Sequence, residues 1–231
     1  MRLLLLPGMD GTGDLFASFL RFLPPDVEPQ VVAYSRERPL GYEQLAREIP
    51  IPSVPFAILA ESFSGPLGIR IAARHPGLTR GLVLVATFIR SPSPALVRLA
   101  ALLAPLIFRR PPPAFALRWM LAGSDASDSE VAEVRAVLES LPARILASRL
   151  RAIAEADVST DFAAVAAPIL YVLGTRDRLV PSTVPKQLQA IRPDIELCSL
   201  DASHLVLQRK PAEAAAAISK FLVSKARLPG S

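Results

Sequence analysis

Short runs of apolar residues, each bounded by Gly, Pro or Asp, recur along the chain. Such runs are typical of strands that are buried on both faces of a sheet. They lie at residues 3–6, 31–34, 57–60, 82–86, 169–173 and 195–200. Patterns with a helical period lie between them, at residues 15–22, 42–48, 66–74, 182–191 and 211–225. This alternation predicts an α/β fold, in which a mostly parallel sheet of about six strands has helices on both faces.

One interval departs from this alternation. Residues 88–151 contain helical patterns interrupted by Pro and Ser, but no strand-like run. We expect a single domain over residues 1–231, in which 88–151 form a helical lid inserted between core segments 1–87 and 152–231. Open α/β sheets bind ligands outside the carboxyl ends of their strands. The lid is therefore expected to cover that edge of the sheet.

Composition narrows the class of protein. The 231 residues are 51% hydrophobic and carry a net charge of +5, which suits one sizeable core. No apolar run approaches the roughly 18–20 residues of a membrane span, and the N-terminal run is shorter than the ~7–15 residues of a signal-peptide core. A lone Cys198 permits no internal disulfide, so we expect a cytoplasmic protein. The sequence has no metal-ligand spacing and no aromatic-interleaved basic stripe, so we expect no metal, cofactor or nucleic acid.

The most informative segment, residues 56–65, runs from an apolar strand directly into a helix. Ser62 falls at the junction, with the small residues Ala60 and Ser64 on either side. A serine on such a sharp turn projects from the carboxyl end of its strand, and the following helix N-terminus favours an oxyanion nearby. This pattern predicts Ser62 as a nucleophile. Ser64 is the rival candidate, although it would place Pro66 at the tight turn.

A serine nucleophile needs a base, and a carboxylate that orients the base. The chain has two histidines. His75 ends the helix that begins just after Ser62, so we expect it at a helix C-terminus on the opposite side of the domain. His204 follows the last predicted strand, at the same sheet edge as Ser62. Asp177 follows the preceding strand and is the expected acid, with Asp201 as the alternative.

The order Ser62, Asp177, His204 on alternating strands and helices resembles that of the α/β-hydrolase superfamily. The resemblance covers essentially the whole chain. It implies a serine hydrolase that forms an acyl-enzyme. It also implies an oxyanion hole made by the backbone N–H of Phe63 and that of Met9, in the turn after the first strand.

Other polar or glycine positions near these residues have structural interpretations. Gly11 and Gly13 follow a strand, as in a dinucleotide-binding loop, but no third glycine or Walker lysine follows them. Asp10 is expected to form a turn. Glu61, beside the nucleophile, is expected to be a buried, hydrogen-bonded carboxylate.

The predicted lid is rich in apolar residues and in arginine. Helices this apolar are expected to bury two sides, against the core and around a pocket for an acyl chain. The side chains predicted to line that pocket are Phe88, Phe108, Phe115, Trp119 and Leu205. Arginines outnumber acids in residues 88–151 by nine to five, so they are candidates to bind an anion such as an acidic acyl-carrier protein. These arginines are Arg90, Arg98, Arg109, Arg110, Arg118, Arg135, Arg144, Arg149 and Arg151.

The resemblance favours a hydrolase of carboxylic esters or thioesters that acts on an apolar acyl substrate. The helical lid is also similar to that of esterases that demethylate pimeloyl-carrier-protein methyl ester, which is one candidate activity. An acyltransferase to an alcohol acceptor would use the same acyl-enzyme, and product partition in the presence of alcohols would reveal it. A non-catalytic ligand receptor on the same scaffold is a further alternative, and it would not react with a fluorophosphonate.

Overall fold

The chain folds around one sheet of parallel strands, in the computed structural model that describes residues 1–108 and 112–225. The strands are β1 (Arg2–Leu6), β2 (Glu28–Val31), β3 (Phe56–Glu61), β4 (Thr79–Val85), β5 (Ile169–Gly174) and β6 (Glu196–Leu200). Their order in the sheet is β2-β1-β3-β4-β5-β6, and every pairing is parallel. The predicted fold class and parallel sheet are therefore confirmed.

Helices connect the strands and cover the sheet. The α-helices are α1 (Ala17–Leu20), α2 (Tyr42–Glu48), α3 (Gly65–Arg74), α4 (Pro94–Ile107), α5 (Ala114–Leu117), α6 (Asp128–Glu139), α7 (Ala143–Ala154), α8 (Ser159–Ala164), α9 (Val184–Ile191), α10 (Val206–Arg209) and α11 (Pro211–Lys225). Short 3₁₀ turns lie at Asp14–Phe16 and Ser62–Ser64, and a π-helical turn lies at Arg118–Ala122. The bounds of α2 and α11 are those predicted from the sequence.

The sheet separates two hydrophobic cores. Because side chains alternate between faces along a strand, Leu4 and Ile58 enter one core while Leu3 and Leu59 enter the other. Helix α3 packs on β3 and β4 in the first core, and α11 packs on β4, β5 and β6 in the second. All of these strand side chains are fully buried. This burial on both faces explains why the central strands are recognisable as apolar runs.

The order of the strands defines where a ligand would bind. The strand β1 has β2 on one side and β3 on the other, so the connections on either side of β1 run in opposite directions. Loops at the carboxyl ends of β1 and β3 therefore diverge and leave a crevice. The loop at residues 7–13 and the turn that contains Ser62 lie at this point.

The second strand differs from its prediction at residues 31–34. The strand β2 ends at Val31, lies at the edge of the sheet and is largely exposed, so it does not need an apolar run. Val32 and Tyr34 are buried beyond its end, where their N–H groups donate to Leu5 O (3.0 Å) and Gly11 O (2.7 Å). The apolar residues of this run therefore anchor the chain against the loop after β1.

Helices α4 to α8 occupy the chain between β4 and β5, and the described residues there include no strand. Arg109 and Arg110, which belong to the arginines noted above, lie outside the described residues. Helix α4 packs on α7. No helix within residues 1–108 and 112–225 has the combination of length and hydropathy that crossing a membrane requires.

The expectation that the apolar helices of this segment bury two sides is wrong for α4. Its buried residues are Ala101 and Ala104, whereas Leu96 is 67% exposed and Leu102 is 72% exposed. Small side chains occupy the face of α4 that is covered, and the leucines point outward. A high apolar content in this helix therefore does not correspond to burial.

Candidate active site

Ser62 lies on a strained turn between β3 and α3. Its φ of 50° places it in the left-handed region, which is uncommon for a residue with a side chain. The strand β3 ends at Glu61, a 3₁₀ turn covers Ser62–Ser64, and α3 begins at Gly65. The side chain of Ser62 is thereby held at the carboxyl edge of the sheet and is partly exposed. This is the geometry of a nucleophile elbow.

Close packing explains the small residues around the serine. A Cβ atom at Gly65 would lie 1.9 Å from Thr87 Oγ1, and one at Gly68 would lie 2.7 Å from Ala60 Cβ. The Thr87 hydroxyl donates a hydrogen bond to the carbonyl of Ser62. The glycines therefore allow α3 to approach the sheet closely enough for Thr87, in the loop after β4, to hold the elbow.

Ser64 is fully buried and serves to join two loops. Its hydroxyl donates to the carbonyl of Pro7, in the loop after β1, and lies 2.5 Å from Tyr34 Oη. Both hydrogen bonds of the Ser64 hydroxyl are therefore made to buried partners, away from the crevice. The structure thus separates the two serines of the elbow, with Ser62 at the crevice and Ser64 behind it.

The predicted base and acid lie beside Ser62. His204 Nε2 is 2.8 Å from Ser62 Oγ, and His204 Nδ1 is 2.8 Å from Asp177 Oδ2. Because an ionised carboxylate can only accept hydrogen bonds, Nδ1 carries the proton and Nε2 is left to accept from the serine hydroxyl. The three side chains, from loops after β3, β5 and β6, form a continuous hydrogen-bonded chain.

Asp177 is held on its other side by the backbone. Its Oδ1 accepts from the N–H groups of Leu179 (2.8 Å) and Val180 (3.1 Å). Burial raises the pKa of Asp177, but the hydrogen bond and charge of His204, with these two N–H groups, outweigh burial and lower the pKa below its ordinary value. Asp177 is therefore a fixed, ionised acceptor. The alternative acid, Asp201, is exposed and pairs with Arg176 (Nε to Oδ1, 2.8 Å).

The backbone groups predicted to bind an oxyanion lie at the same edge. Gly11 N–H donates to Gly8 O (3.0 Å), which makes residues 8–11 a tight turn with Met9 at its second position. A Cβ atom at Gly8 would lie 4.0 Å from Ser62 Cβ, so the turn directly faces the elbow. Phe63 stands in the first turn after β3, where backbone N–H groups have no partner within the helix.

Two tyrosines hold the backbone at Phe63. The Phe63 ring is buried and stacks on Tyr42, with 4.8 Å between ring centroids. The Tyr42 hydroxyl donates to the carbonyl of Phe63 (2.7 Å). Tyr34 meets the same ring edge-on at 6.1 Å. The orientation of the Phe63 peptide is therefore fixed by packing rather than by the strained turn alone.

Asp10 forms a turn, as expected from the sequence. Its Oδ2 accepts from the N–H of Thr12 (2.9 Å) and from the Thr12 hydroxyl (2.7 Å). The Thr12 hydroxyl in turn accepts from the N–H of Asp14 (3.1 Å). These bonds shape the loop from the Met9 turn to the following 3₁₀ helix.

Glu61 is buried at the end of β3, beneath the site. Its Oε2 lies 3.5 Å from Gln208 Nε2, and its Oε1 has no hydrogen-bond partner among the described residues. Burial and the nearby Asp10 raise the pKa of Glu61 to about 7, against the opposing hydrogen bond from Gln208 and the charge of His204. The expected buried carboxylate is present, with half of its hydrogen-bonding capacity unused.

Arg149 is one of the arginines named above as candidates to bind an anion, but its side chain is buried and binds backbone carbonyls of this site instead. That role was not predicted from the sequence. Arg149 lies on α7 and is 2% exposed, with its guanidinium against the carbonyls of Met9 and Asp10. A pattern that indicates its position is present in the sequence. Arg149 follows Ile145 by one helical turn and precedes Ala152 by another, and both are buried, so it lies in the apolar stripe of α7.

The side chains predicted to line a substrate pocket occupy different environments. Phe88 belongs to the first core, and Leu205 packs with residues of α5 and α6 in a small separate cluster. Phe108 is partly buried, whereas Phe115 is 75% exposed. Trp119 lines a cavity of about 270 Å³ that also contacts Asp177 and Ser203. That cavity is lined by Trp119, Met120, Gly123, Ser124, Arg176, Asp177, Arg178 and Ser203.

The remaining predicted groups lie apart from this arrangement. His75 caps the C-terminus of α3, at the end of that helix away from Ser62. Cys198 is a free thiol on β6. Within residues 1–108 and 112–225, no cluster of three or more His, Cys, Asp or Glu side chains is arranged to hold a metal ion.

Solved structures with the same fold cover nearly the whole chain. An enol-lactonase from Burkholderia xenovorans LB400 has a TM-score of 0.82 at 20% identity, over 96% of this chain and 91% of that one. A thermophilic esterase from Thermogutta terrifontis has a TM-score of 0.82 at 19% identity, over 98% and 91%. A hydrolase from Oleispira antarctica has a TM-score of 0.83 at 13% identity, over 97% and 91%. At these identities the likeness shows the fold.

Sequence comparison supplies the family. No curated protein matches the chain. The family model described as serine aminopeptidase, S33, matches residues 42–201, which is more than half of the chain and includes the elbow and the Asp177 loop. The chain therefore belongs to the serine aminopeptidase S33 family of hydrolases and has the α/β-hydrolase fold.

Proposed function

We propose that this protein is a serine hydrolase that cleaves a carboxylic ester or thioester through an acyl-enzyme, with Ser62, His204 and Asp177 as its catalytic triad. One observation carries the proposal. The hydrogen bonds from Ser62 to His204 and from His204 to Asp177 are both 2.8 Å long, and the serine stands on a left-handed turn at the crevice. This combination meets the geometric requirements for an activated serine.

In the proposed reaction, His204 Nε2 takes the proton of Ser62 as the serine oxygen attacks the substrate carbonyl. The N–H groups of Met9 and Phe63 donate to the oxyanion, and Asp177 stabilises the imidazolium. His204 then gives its proton to the leaving alcohol or thiol as the carbonyl re-forms. A water molecule repeats the sequence, with His204 as base, and releases the acid and free Ser62.

The substrate class is proposed from the family and the relatives in fold. Two structural neighbours are named as an esterase and an enol-lactonase, and a lactone is a cyclic ester. The family name instead refers to an aminopeptidase, and an amide can be cleaved by the same acyl-enzyme chemistry. For the acyl group we propose apolar character from the apolar content of the segment between β4 and β5. The cavity beside Asp177 contributes Trp119 and Met120 to this, together with the charged Arg176 and Arg178.

The test combines labelling with kinetics. A fluorophosphonate should label the wild-type protein at Ser62, identified by mass spectrometry, and p-nitrophenyl esters of increasing chain length should be hydrolysed. Ser62→Ala should lose labelling and about 10⁴-fold or more in kcat. Ser64→Ala is the matched control from the same elbow, and it should keep labelling at Ser62. Full turnover by Ser62→Ala would exclude the mechanism.

The same assay separates the alternatives. Turnover of aminoacyl p-nitroanilides without turnover of esters would indicate a peptidase. Esters formed in the presence of an alcohol, in place of free acid, would indicate an acyltransferase. Lack of labelling and of turnover would favour a ligand receptor on a hydrolase scaffold.

We also propose an acidic acyl-carrier protein as a partner to test, as in pimeloyl-carrier-protein methyl ester esterases. Arg90, Arg118 and Arg135 already pair with carboxylates of this chain. The exposed candidates on the inserted segment are Arg98, Arg144 and Arg151. Neutralising these three should raise KM for a carrier-linked ester and leave KM for the free ester unchanged. An unchanged KM for the carrier-linked ester would exclude this partner.

A further inference from the structure

Arg149 places a buried positive charge behind the turn that faces Ser62. The residue lies on α7, in the segment inserted between β4 and β5, and is 2% exposed. Burying a guanidinium is costly unless its donors are satisfied. Burial lowers the pKa of Arg149, while the nearby charge of Asp10 opposes that shift. Such a group requires a structural explanation.

Arg149 donates to backbone carbonyls of the loop after β1 and of the segment after β2. Its Nη1 donates to Met9 O (2.7 Å) and to Asp10 O (2.6 Å), and its Nη2 lies 3.3 Å from Ser35 O. The C=O and N–H of a trans peptide point in opposite directions. Binding these two carbonyls therefore fixes the orientation of the peptide units on both sides of Asp10.

The third carbonyl of the turn is fixed within the loop, because Gly8 O accepts from Gly11 N–H (3.0 Å). That bond orients the peptide unit to which the Met9 N–H belongs. Its donor, Gly11 N–H, belongs to the same peptide unit as Asp10 C=O, which Arg149 binds. The orientation of the Met9 N–H thus depends on Arg149 through one shared peptide.

The guanidinium packs closely against Gly11 and the Tyr34 ring. A Cβ atom at Gly11 would lie 2.7 Å from Arg149 Nη2 and 2.7 Å from Tyr34 Cδ2. Arg149 Cζ lies 5.7 Å from the centre of the Tyr34 ring, and Tyr34 Oη reaches Ser64 Oγ at 2.5 Å. The contacts therefore continue from α7 through Tyr34 to the elbow that carries Ser62.

We propose that Arg149 is a positioning residue, by which helix α7 of the inserted segment holds the Met9 turn in the geometry of an oxyanion hole. This inference rests on the proposed function. It gives the inserted segment a role in assembling the active site, in addition to any role in covering it. Arg149 itself does not touch the substrate.

The test compares Arg149→Met, Arg149→Lys and Arg135→Met. Arg135 lies on α6 of the same segment, its side chain is 42% exposed and it is not among the residues proposed to bind substrate or carrier, so it is the matched control and should keep wild-type kinetics. Loss of one oxyanion donor costs about 10²–10³ in kcat. For Arg149→Met we expect a loss of about 10–10² in kcat on a p-nitrophenyl ester, with KM changed less than threefold. Arg149→Lys, which retains the charge but not the fork of donors, should fall between Arg149→Met and the wild type.

Two readouts distinguish positioning from general stabilisation. Affinity for a boronic acid or trifluoromethyl ketone, which forms the tetrahedral adduct, should fall by the same factor as kcat/KM, while affinity for the carboxylic acid product stays constant. In a further variant, Arg149→Ala, which leaves space for a small cation, millimolar guanidinium should restore part of the activity, and sodium chloride at equal ionic strength should not. Equal loss of affinity for both ligands would overturn the proposal.

Failure of the Arg149 role can be distinguished from failure of the proposed catalytic triad. Activity that persists in Ser62→Ala counts against the triad, whatever Arg149 does. Activity that depends on Ser62 but is within twofold of wild type in folded Arg149→Met counts against the positioning role alone. If Arg149→Met does not fold, Arg149→Lys decides, because wild-type kcat in that variant would equally overturn the proposal.

Discussion

Helices α3 and α4 are both rich in apolar residues, yet they relate to the protein in opposite ways. Helix α3 buries Leu67, Ile69 and Ile71 against the sheet. Helix α4 fully buries only two alanines and exposes all five of its leucines. The difference lies in the small residues. In α3 they allow the helix to approach β3 and β4, whereas in α4 they occupy the covered face itself.

The comparison shows that apolar content and burial are separate properties of a helix. The buried side chains of α3 have close neighbours on every side. Where the helix approaches Thr87 and Ala60, it can do so only because glycines occupy the facing positions of the helix. The covered face of α4 is specified only by alanines. Stability should therefore depend strongly on side-chain identity in α3 and weakly on the exposed leucines of α4.

The largest expected contrast is between Leu67→Ala and Leu102→Ala. The first removes a fully buried side chain and should lower the free energy of unfolding by about 2–5 kcal/mol. The second shortens a side chain that is 72% exposed and should change it by about 0.5 kcal/mol or less. Urea denaturation of both variants provides the measurement. Equal losses of unfolding free energy would indicate that Leu102 is covered in solution, and would contradict the difference between α3 and α4.

The next effect is expected for the buried carboxyl of Glu61, at the end of β3. The pKa of Glu61 is raised from 4.5 to about 7, so the folded state binds the proton more strongly than the unfolded state. The stabilisation that the protonated Glu61 carboxyl gives the folded state is fully present below about pH 4.5. It is lost as pH rises through about 7, and the free energy of unfolding falls by about 3 kcal/mol in total. Glu61→Gln should lose this pH dependence and be more stable than wild type at pH 9.

Unfolding curves at pH 5, 7 and 9 measure this effect. Glu133→Gln, at an exposed position of α6, is the control and should keep the wild-type pH dependence. If Glu61→Gln retained that dependence as well, the buried carboxyl would not be its source.

The smallest effect is expected for an ion pair on the surface of α6. Arg135 Nε and Glu139 Oε1 are 2.7 Å apart, one turn apart on α6, and both side chains are more than 40% exposed. Exposed pairs of this kind contribute about 0.5 kcal/mol or less. Glu139→Gln should therefore change the free energy of unfolding by no more than that, and less at high salt. A loss as large as that of Leu67→Ala would contradict the contrast between the regions.

The sequence was sufficient to predict the central sheet, because strands buried on both faces are uninterrupted apolar runs. The elbow was predictable for the same reason, since β3 leads directly to Ser62. The edge strand β2 was not, because its residues include Glu28, Pro29 and Gln30 and form no apolar run. The apolar residues just after it have a different role, in anchoring the loop after β1.

For the site, proximity of residues distant in sequence was predictable only through topology. Ser62, Asp177 and His204 each follow a parallel strand, so the carboxyl ends of β3, β5 and β6 lie along one edge. Arg149 follows no strand. Its contact with the Met9 turn depends on how α7 packs, which no local pattern specifies, although its place in an apolar stripe indicated burial. The unpaired Oε1 of Glu61 likewise depends on which neighbours surround it.

The hydrogen bond between Ser62 and His204 spans 142 residues, and that between Arg149 and Met9 spans 140. The first joins parts of the chain that cannot meet until the sheet extends from β1 to the loop after β6, and the second requires α7 to pack against the loop after β1. Long-range pairing of this kind is slow, because loop closure is unfavourable before the contacts form. Recovery of hydrolase activity during refolding should therefore coincide with the last kinetic phase. The active site would then report the completion of folding.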